Sequence, residues 1–157
     1  MTASAELKNR VLVFGYGNPG RQDDGLGPAL IEALEQDPPS GVQLESDYQL
    51  SVENAWDLSR HPQVILVDAT VDGDAPFYFQ PLSASATMSF STHSVSPGAV
   101  LQLARTLFQA EPQVYLLGIR GYQFAHIAEG LTPQAAENCR AAERFLRSFL
   151  ADAGVTT

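Results

Sequence analysis

Four side chains in this sequence are of types that could do chemistry together. Two adjacent carboxylates, Asp23 and Asp24, follow a glycine-rich loop. A third acid, Asp68, closes an apolar run, and an imidazole, His93, lies in a hydroxyl-rich stretch. The set Asp24, Asp68 and His93 suits a divalent transition metal, with positions left open for substrate or water. A carboxylate could instead act as general base toward a water. Each residue also has a plain structural reading: Asp24 as a helix N-cap, Asp68 as the brace of a turn, His93 as a loop residue bonded to a backbone carbonyl. Asp23 is expected to orient its neighbour or to face solvent. His61, beside Pro62, reads as exposed. His126 stays a candidate because its loop also follows a strand end, and Cys139, on an apolar helix face, reads as core.

The elements that must position these residues are legible in outline. Arg10 to Phe14 reads as a buried strand ending at Gly15, and a helix follows from about Asp24 to Gln36 with Leu26, Leu30, Ile31 and Leu34 on one face. Pro28 fits its first turn. Val42 to Ser46 is a short strand. Ser51 can cap a helix carrying Val52, Ala55, Trp56 and Leu58. Gln63 to Val67 is continuously apolar, which suits a strand covered on both faces. Asp72-Gly73-Asp74 is a turn, and Phe77 to Gln80, flanked by Pro76 and Pro81, reads as an edge strand. Residues 83–95 read as a loop. Ser96-Pro97 and Thr132-Pro133 are caps followed by proline. They open helices burying Val100, Leu101, Ala104, Leu107 and Phe108, and Ala135, Cys139, Ala142, Phe145, Leu146 and Phe149. Between those helices lies the strand Val114 to Ile119.

The order is β-α-β-α-β-β-α-β-α. It predicts a three-layer α/β/α single domain with a mostly parallel, about five-stranded twisted sheet of the phosphorylase/hydrolase-like type. The expected division is a flexible N-terminus over 1–9, the domain over 10–151 and a tail over 152–157. In such sheets ligands sit beyond the carboxyl ends of the strands, where Asp24, Asp68 and His93 could converge.

Composition narrows the function. The chain has 157 residues, 45% hydrophobic, with 9 basic and 18 acidic side chains and a net charge of −9. That argues against nucleic acid and against an anionic membrane surface, both of which need clustered Lys and Arg. A basic segment of another protein or a metal cation is compatible with it. The single cysteine rules out a disulfide framework within the chain and a cysteine-based zinc site. MTASAELKNR has no apolar signal core, and no run approaches ~18 apolar residues. The expectation is a cytoplasmic monomer.

Gly15-Tyr16-Gly17-Asn18-Pro19-Gly20 formally matches the dinucleotide fingerprint. Its physics opposes that reading: a pyrophosphate on the helix start would meet Asp23 and Asp24, and Pro19 removes a donor. The same string is similar to the opening of peptidyl-tRNA hydrolases. The continuation RQDDGLG lacks their histidine- and arginine-bearing segment, and a tRNA would meet an acidic protein.

The whole pattern resembles the hydrogenase maturation proteases, endopeptidases that trim the C-terminus of the nickel–iron hydrogenase large subunit. The resemblance rests on Gly15, Gly17 and Asn18, on Asp23-Asp24-Gly25-Leu26-Gly27, on Val67-Asp68-Ala69 and on Ser91-Thr92-His93. Gly118-Ile119 and Gly130 to Pro133 complete it, over about residues 10–150. It implies that the family's metal-coordinating trio falls on Asp24, Asp68 and His93, with aspartate where the family often has glutamate. It implies an aspartic-type or substrate-nickel-dependent endopeptidase that carries no metal of its own at rest. The nickel is supplied by the substrate, the large-subunit precursor, whose C-terminal peptide is removed. A nickel-sensing or nickel-delivering module without proteolysis would use the same trio.

Overall fold

The structure is a computed structural model that describes residues 10–84 and 95–152. Its elements are β1 (Val11–Tyr16), a 3-10 turn (Gln22–Gly25), α1 (Leu26–Glu35), β2 (Val42–Asp47), α2 (Asn54–Ser59), β3 (Gln63–Thr70), β4 (Phe77–Pro81), α3 (Pro97–Phe108), β5 (Gln113–Arg120) and α4 (Pro133–Asp152). The strands form one five-stranded sheet in the order β2-β1-β3-β5-β4. All neighbours are parallel except β4, which pairs antiparallel to β5 as an edge.

The apolar runs of β1 and β3 are buried throughout, and that of β5 for the most part, because successive side chains enter two different cores. Val11, Val13, Ile65, Val67, Leu117 and Ile119 pack with α1 and α4. Leu12, Phe14, Val64, Leu66 and Val114 pack with α2 and α3. On the first face Phe79 stacks on Tyr115 at 4.9 Å and meets Phe149 edge-on at 4.9 Å, which closes the β4 side.

The sheet reverses direction at β1 and β3. The chain leaves β1 through α1 on one face to β2, then returns through α2 on the other face to β3. That makes the carboxyl ends of β1 and β3 the switch point of the sheet, where a crevice opens.

Several local details differ from the sequence reading. β1, β2, β3 and β5 run on past their expected ends, because the ladder continues into residues that carry polar side chains. Ser51 does not cap α2. Instead the Asn54 side-chain carbonyl accepts from the Ser51 amide (2.8 Å) and hydroxyl (3.2 Å). Trp56 is 50% exposed, and Val52, Leu107 and Phe108 are exposed too. The periodicity gave the right helix face, but α2 has a single buried turn and the last turn of α3 outruns the core. There Trp56 and Phe108 cover one another edge-on at 5.3 Å, and Arg60 lies over the indole. Ser96 does cap α3, its hydroxyl accepting from the Ala99 amide.

The glycines of the first loop are positions of contact. A Cβ on Gly15 would lie 2.3 Å from the Gly27 carbonyl oxygen, and one on Gly27 would lie 2.5 Å from that of Tyr16. α1 therefore rests directly on the backbone of β1, and its entry point is fixed. Gly15→Ala is expected to lower the unfolding free energy by about 3 kcal/mol, since neither backbone can yield. Urea unfolding checks this, and an unchanged midpoint would show that strand and helix are not in contact.

Candidate functional site

Asp24 sits in the 3-10 turn between β1 and α1. It is not a helix cap: α1 has no side-chain capping bond. Its Oδ2 accepts instead from the Asn18 amide at 2.9 Å, and the Asn18 side chain accepts from the Gly20 amide at 2.9 Å. Gly17 makes the tight passage possible. It has φ +146°, and a Cβ there would stand 1.9 Å from the Asp24 carbonyl oxygen. The bond to Asn18 orients the Asp24 carboxylate and leaves its other oxygen without a partner among the described residues.

Asp68 arrives on β3 on the same side as Val64 and Leu66, where the apolar stripe turns polar. Its Oδ1 accepts from the Ala69 amide at 2.7 Å. The register sets its surroundings. Asp68 pairs with Gly118 of β5, which pairs with Tyr78 of β4. Gly118 leaves room for the Tyr78 ring, which would lie 2.2 Å from a Cβ there. On the other side, Tyr16 is one residue beyond the Gly15–Val67 pair and presents its hydroxyl to Asp68. Burial raises the Asp68 pKa most, the Ala69 amide pulls it back, nearby Asp24 raises it and the Tyr16 hydroxyl lowers it. The net value is about 7. Burial and Asp68 likewise push both tyrosines up.

Asp24 and Asp68 line one open cavity of about 270 Å³, with Tyr16, Gly17, Tyr48 and Pro97 around them. It lies at the switch point. His93, the third residue of the predicted set, lies outside the described residues. Two carboxylates lining one cavity, each held by a backbone amide, form a donor set suited to a hard or borderline divalent cation.

The remaining candidates separate from this cavity. Asp23 neither faces solvent nor joins the site. It is fully buried, and its carboxylate accepts from the amides of Tyr122 (2.7 Å), Gln123 (3.1 Å) and Thr132 (2.8 Å) and from the Thr132 hydroxyl (2.8 Å). Burial alone would raise its pKa, but these four donors together hold it below the ordinary value. His61 is 7% exposed, contrary to the expectation of an exposed ring. Its Nδ1 lies 2.8 Å from the Asp57 carbonyl and its Nε2 3.1 Å from the Gln43 side chain, which together seat it under the sheet. His126 is exposed and does not line the cavity. Cys139 is buried as expected, and burial with nearby Glu143 pushes its thiol up to about 11. Tyr16 and Tyr78 escaped the sequence reading. Their only signal was register, through Gly118, and pairing partners cannot be read from one strand alone.

The dinucleotide reading loses its donors. The Gly17 amide donates to the Asp47 carbonyl and the Asn18 amide to Asp24, so the loop holds itself together. Among the described residues no helix is long and apolar enough to cross a membrane.

The class these features define is an open α/β sheet with an acid-lined cavity at its switch point. No family model matches the sequence, and no curated protein matches it. Solved structures do. The hydrogenase maturating endopeptidase HybD from E. coli superposes with a TM-score of 0.72 at 24% identity, over 92% of this chain and 94% of that one. The nickel–iron hydrogenase maturation protease HycI from Thermococcus kodakarensis gives 0.72 at 18%, over 96% and 99%. A hydrogenase 3 maturation protease gives 0.67 at 18%, over 88% and 89%. The chain has the fold of these proteins along nearly its whole length.

The Asp23 geometry has a direct consequence for stability. Asparagine offers one acceptor and one donor group where four donors converge, so Asp23→Asn is expected to cost about 3 kcal/mol. The folded pKa is depressed, so the carboxylate's contribution is fully present above the unfolded pKa of about 3.9. It is lost as pH falls through the lower folded pKa. Chemical unfolding as a function of pH should show parent and variant separated at pH 7 and converging below about pH 4.

Proposed function

We propose that this protein is an endopeptidase that removes a C-terminal peptide from the nickel-loaded precursor of a nickel–iron hydrogenase large subunit. The observation that carries this reading is the pairing of Asp24 and Asp68 in one cavity at the switch point of a fold shared with hydrogenase maturation endopeptidases. The motif pattern of the sequence, with His93 as third member of the set, supports it.

In this reading the nickel is the substrate's own and reaches the cavity with the precursor. Asp24, Asp68 and His93 would hold it, and the bound ion would supply charge stabilisation and a template for the scissile bond. The chain's own groups prepare that encounter. The Asn18 amide aims Asp24, and the Ala69 amide and Tyr16 hydroxyl aim Asp68. Burial and nearby Asp24 disfavour the charged form of Asp68, and a bound cation would favour it. A protease that needs the nickel to complete its site would act only on precursors that have received it.

The test is incubation with nickel-loaded and nickel-free precursor, following the mass of the large subunit. Loss of a C-terminal peptide from the loaded form alone is expected. Equal cleavage of both forms would remove the nickel requirement. Asp24→Asn and Asp68→Asn are each expected to slow processing at least about 100-fold without lowering the melting temperature. Nickel transfer or binding without peptide release would assign the same residues to a nickel-delivery module instead.

A further inference from the structure

β2 is an outer strand of the sheet, and its carboxyl end runs into the candidate site. Along a strand, N–H and C=O groups turn alternately to the two sides. The Gly41 carbonyl accepts from the Val11 amide (3.3 Å) and the Asp47 carbonyl from the Gly17 amide (3.1 Å), both on the β1 side. By alternation Gln43 and Glu45 also face β1, whereas Val42, Leu44 and Ser46 turn their N–H and C=O outward. Among the described residues no strand pairs with that edge. Val42–Asp47 contains no proline, which is one of the devices that block an edge.

The edge leads somewhere specific. Ser46, Asp47 and Tyr48 line a cavity of about 280 Å³ with Gly17, Pro19 and Pro28. That cavity shares Gly17 and Tyr48 with the one holding Asp24 and Asp68. Exposed Glu45 and Asp47 give the carboxyl end of the strand an acidic character.

We propose that the outer edge of β2 takes an extended segment of the substrate polypeptide as a sixth strand, bonded through Val42, Leu44 and Ser46, and that this leads the chain past Tyr48 to Asp24 and Asp68. This rests on the endopeptidase reading. Main-chain bonds hold the segment with little demand on its sequence, and the acidic flank favours one carrying Lys or Arg. Strand addition also extends the chain, the conformation in which a peptide bond is open to attack from a cavity wall.

Steady-state processing of nickel-loaded precursor tests this. Ser46→Pro removes one outward donor without touching the β1 ladder, a position where an edge strand tolerates proline. It should raise KM about tenfold with kcat within twofold, while Ser46→Ala, which keeps the donor, should raise KM much less than Ser46→Pro does. Independently of how Ser46→Pro folds, the wild-type protein under saturating precursor should show amide hydrogen exchange at Leu44 and Ser46 slowed relative to the protein alone. Wild-type cleavage with no added protection there, or with KM unaffected by Ser46→Pro in a folded variant, overturns strand addition and leaves the endopeptidase reading standing. Failure of the wild-type protein to cleave any such precursor overturns both.

Discussion

The structure depends on one buried charge. Asp23 is out of contact with water and would cost several kcal/mol if left unpaired. Four donors meet it, three of them amides, from residues about a hundred positions later in the chain. Around them the backbone pairs of Gln22 with Ala128, Asp23 with Gln123 and Ala128 with Gly20 stitch the first loop to the loop before α4. The start of α1 and the start of α4 are thereby fixed to each other across the top of the sheet. Adjacent acids divide the labour because a 3-10 turn has three residues per turn, so neighbouring side chains point about 120° apart. Asp23 turns inward to the donors, and Asp24 is left facing the cavity.

The second constraint is the close approach of α1 to β1. With Gly15 against Gly27, and Gly17 against the Asp24 backbone, the loop has no slack. This explains a glycine string that resembles a phosphate cradle without being one. A cradle presents free amides to a ligand, whereas here the amides of Gly17 and Asn18 are spent on Asp47 and Asp24. The result is a rigid mount for one carboxylate opposite another that is delivered by an independent strand. The two are held together by the fold although the nearby Asp24 makes the charge on Asp68 less favourable.

Much of this was legible in the sequence, for identifiable reasons. The element order follows from apolar runs and from the cap-plus-proline pairs at Ser96 and Thr132, all local signals. Asp24 and Asp68 could be nominated because strand ends in a parallel sheet converge by topology. What escaped needed partners distant in the chain. Nothing near Asp23 announces Tyr122, Gln123 and Thr132. His61 looks exposed beside Pro62, yet Gln43 from β2 and the Asp57 carbonyl enclose it. Trp56, Leu107 and Phe108 have the right spacing for a buried face, but spacing does not say whether anything lies opposite.

The two edges of the sheet are unlike, and the difference follows from direction. β4 runs antiparallel, so its proline-bearing end, Pro81, lies against Tyr115, far from Asp68. It is short, flanked by Pro76, and its Phe77 and Phe79 rings are committed to Phe145 and Phe149 of α4. β2 runs parallel to its neighbour, so its exposed end must emerge at the carboxyl side of the sheet, where the acids are. Because β2, β1 and β3 are parallel, the carboxyl end of this edge and the switch-point cavity share one side of the molecule. A chain lying along β2 is aimed at Asp24 and Asp68 by the topology itself, with Tyr48 the only bulky exposed side chain described between them.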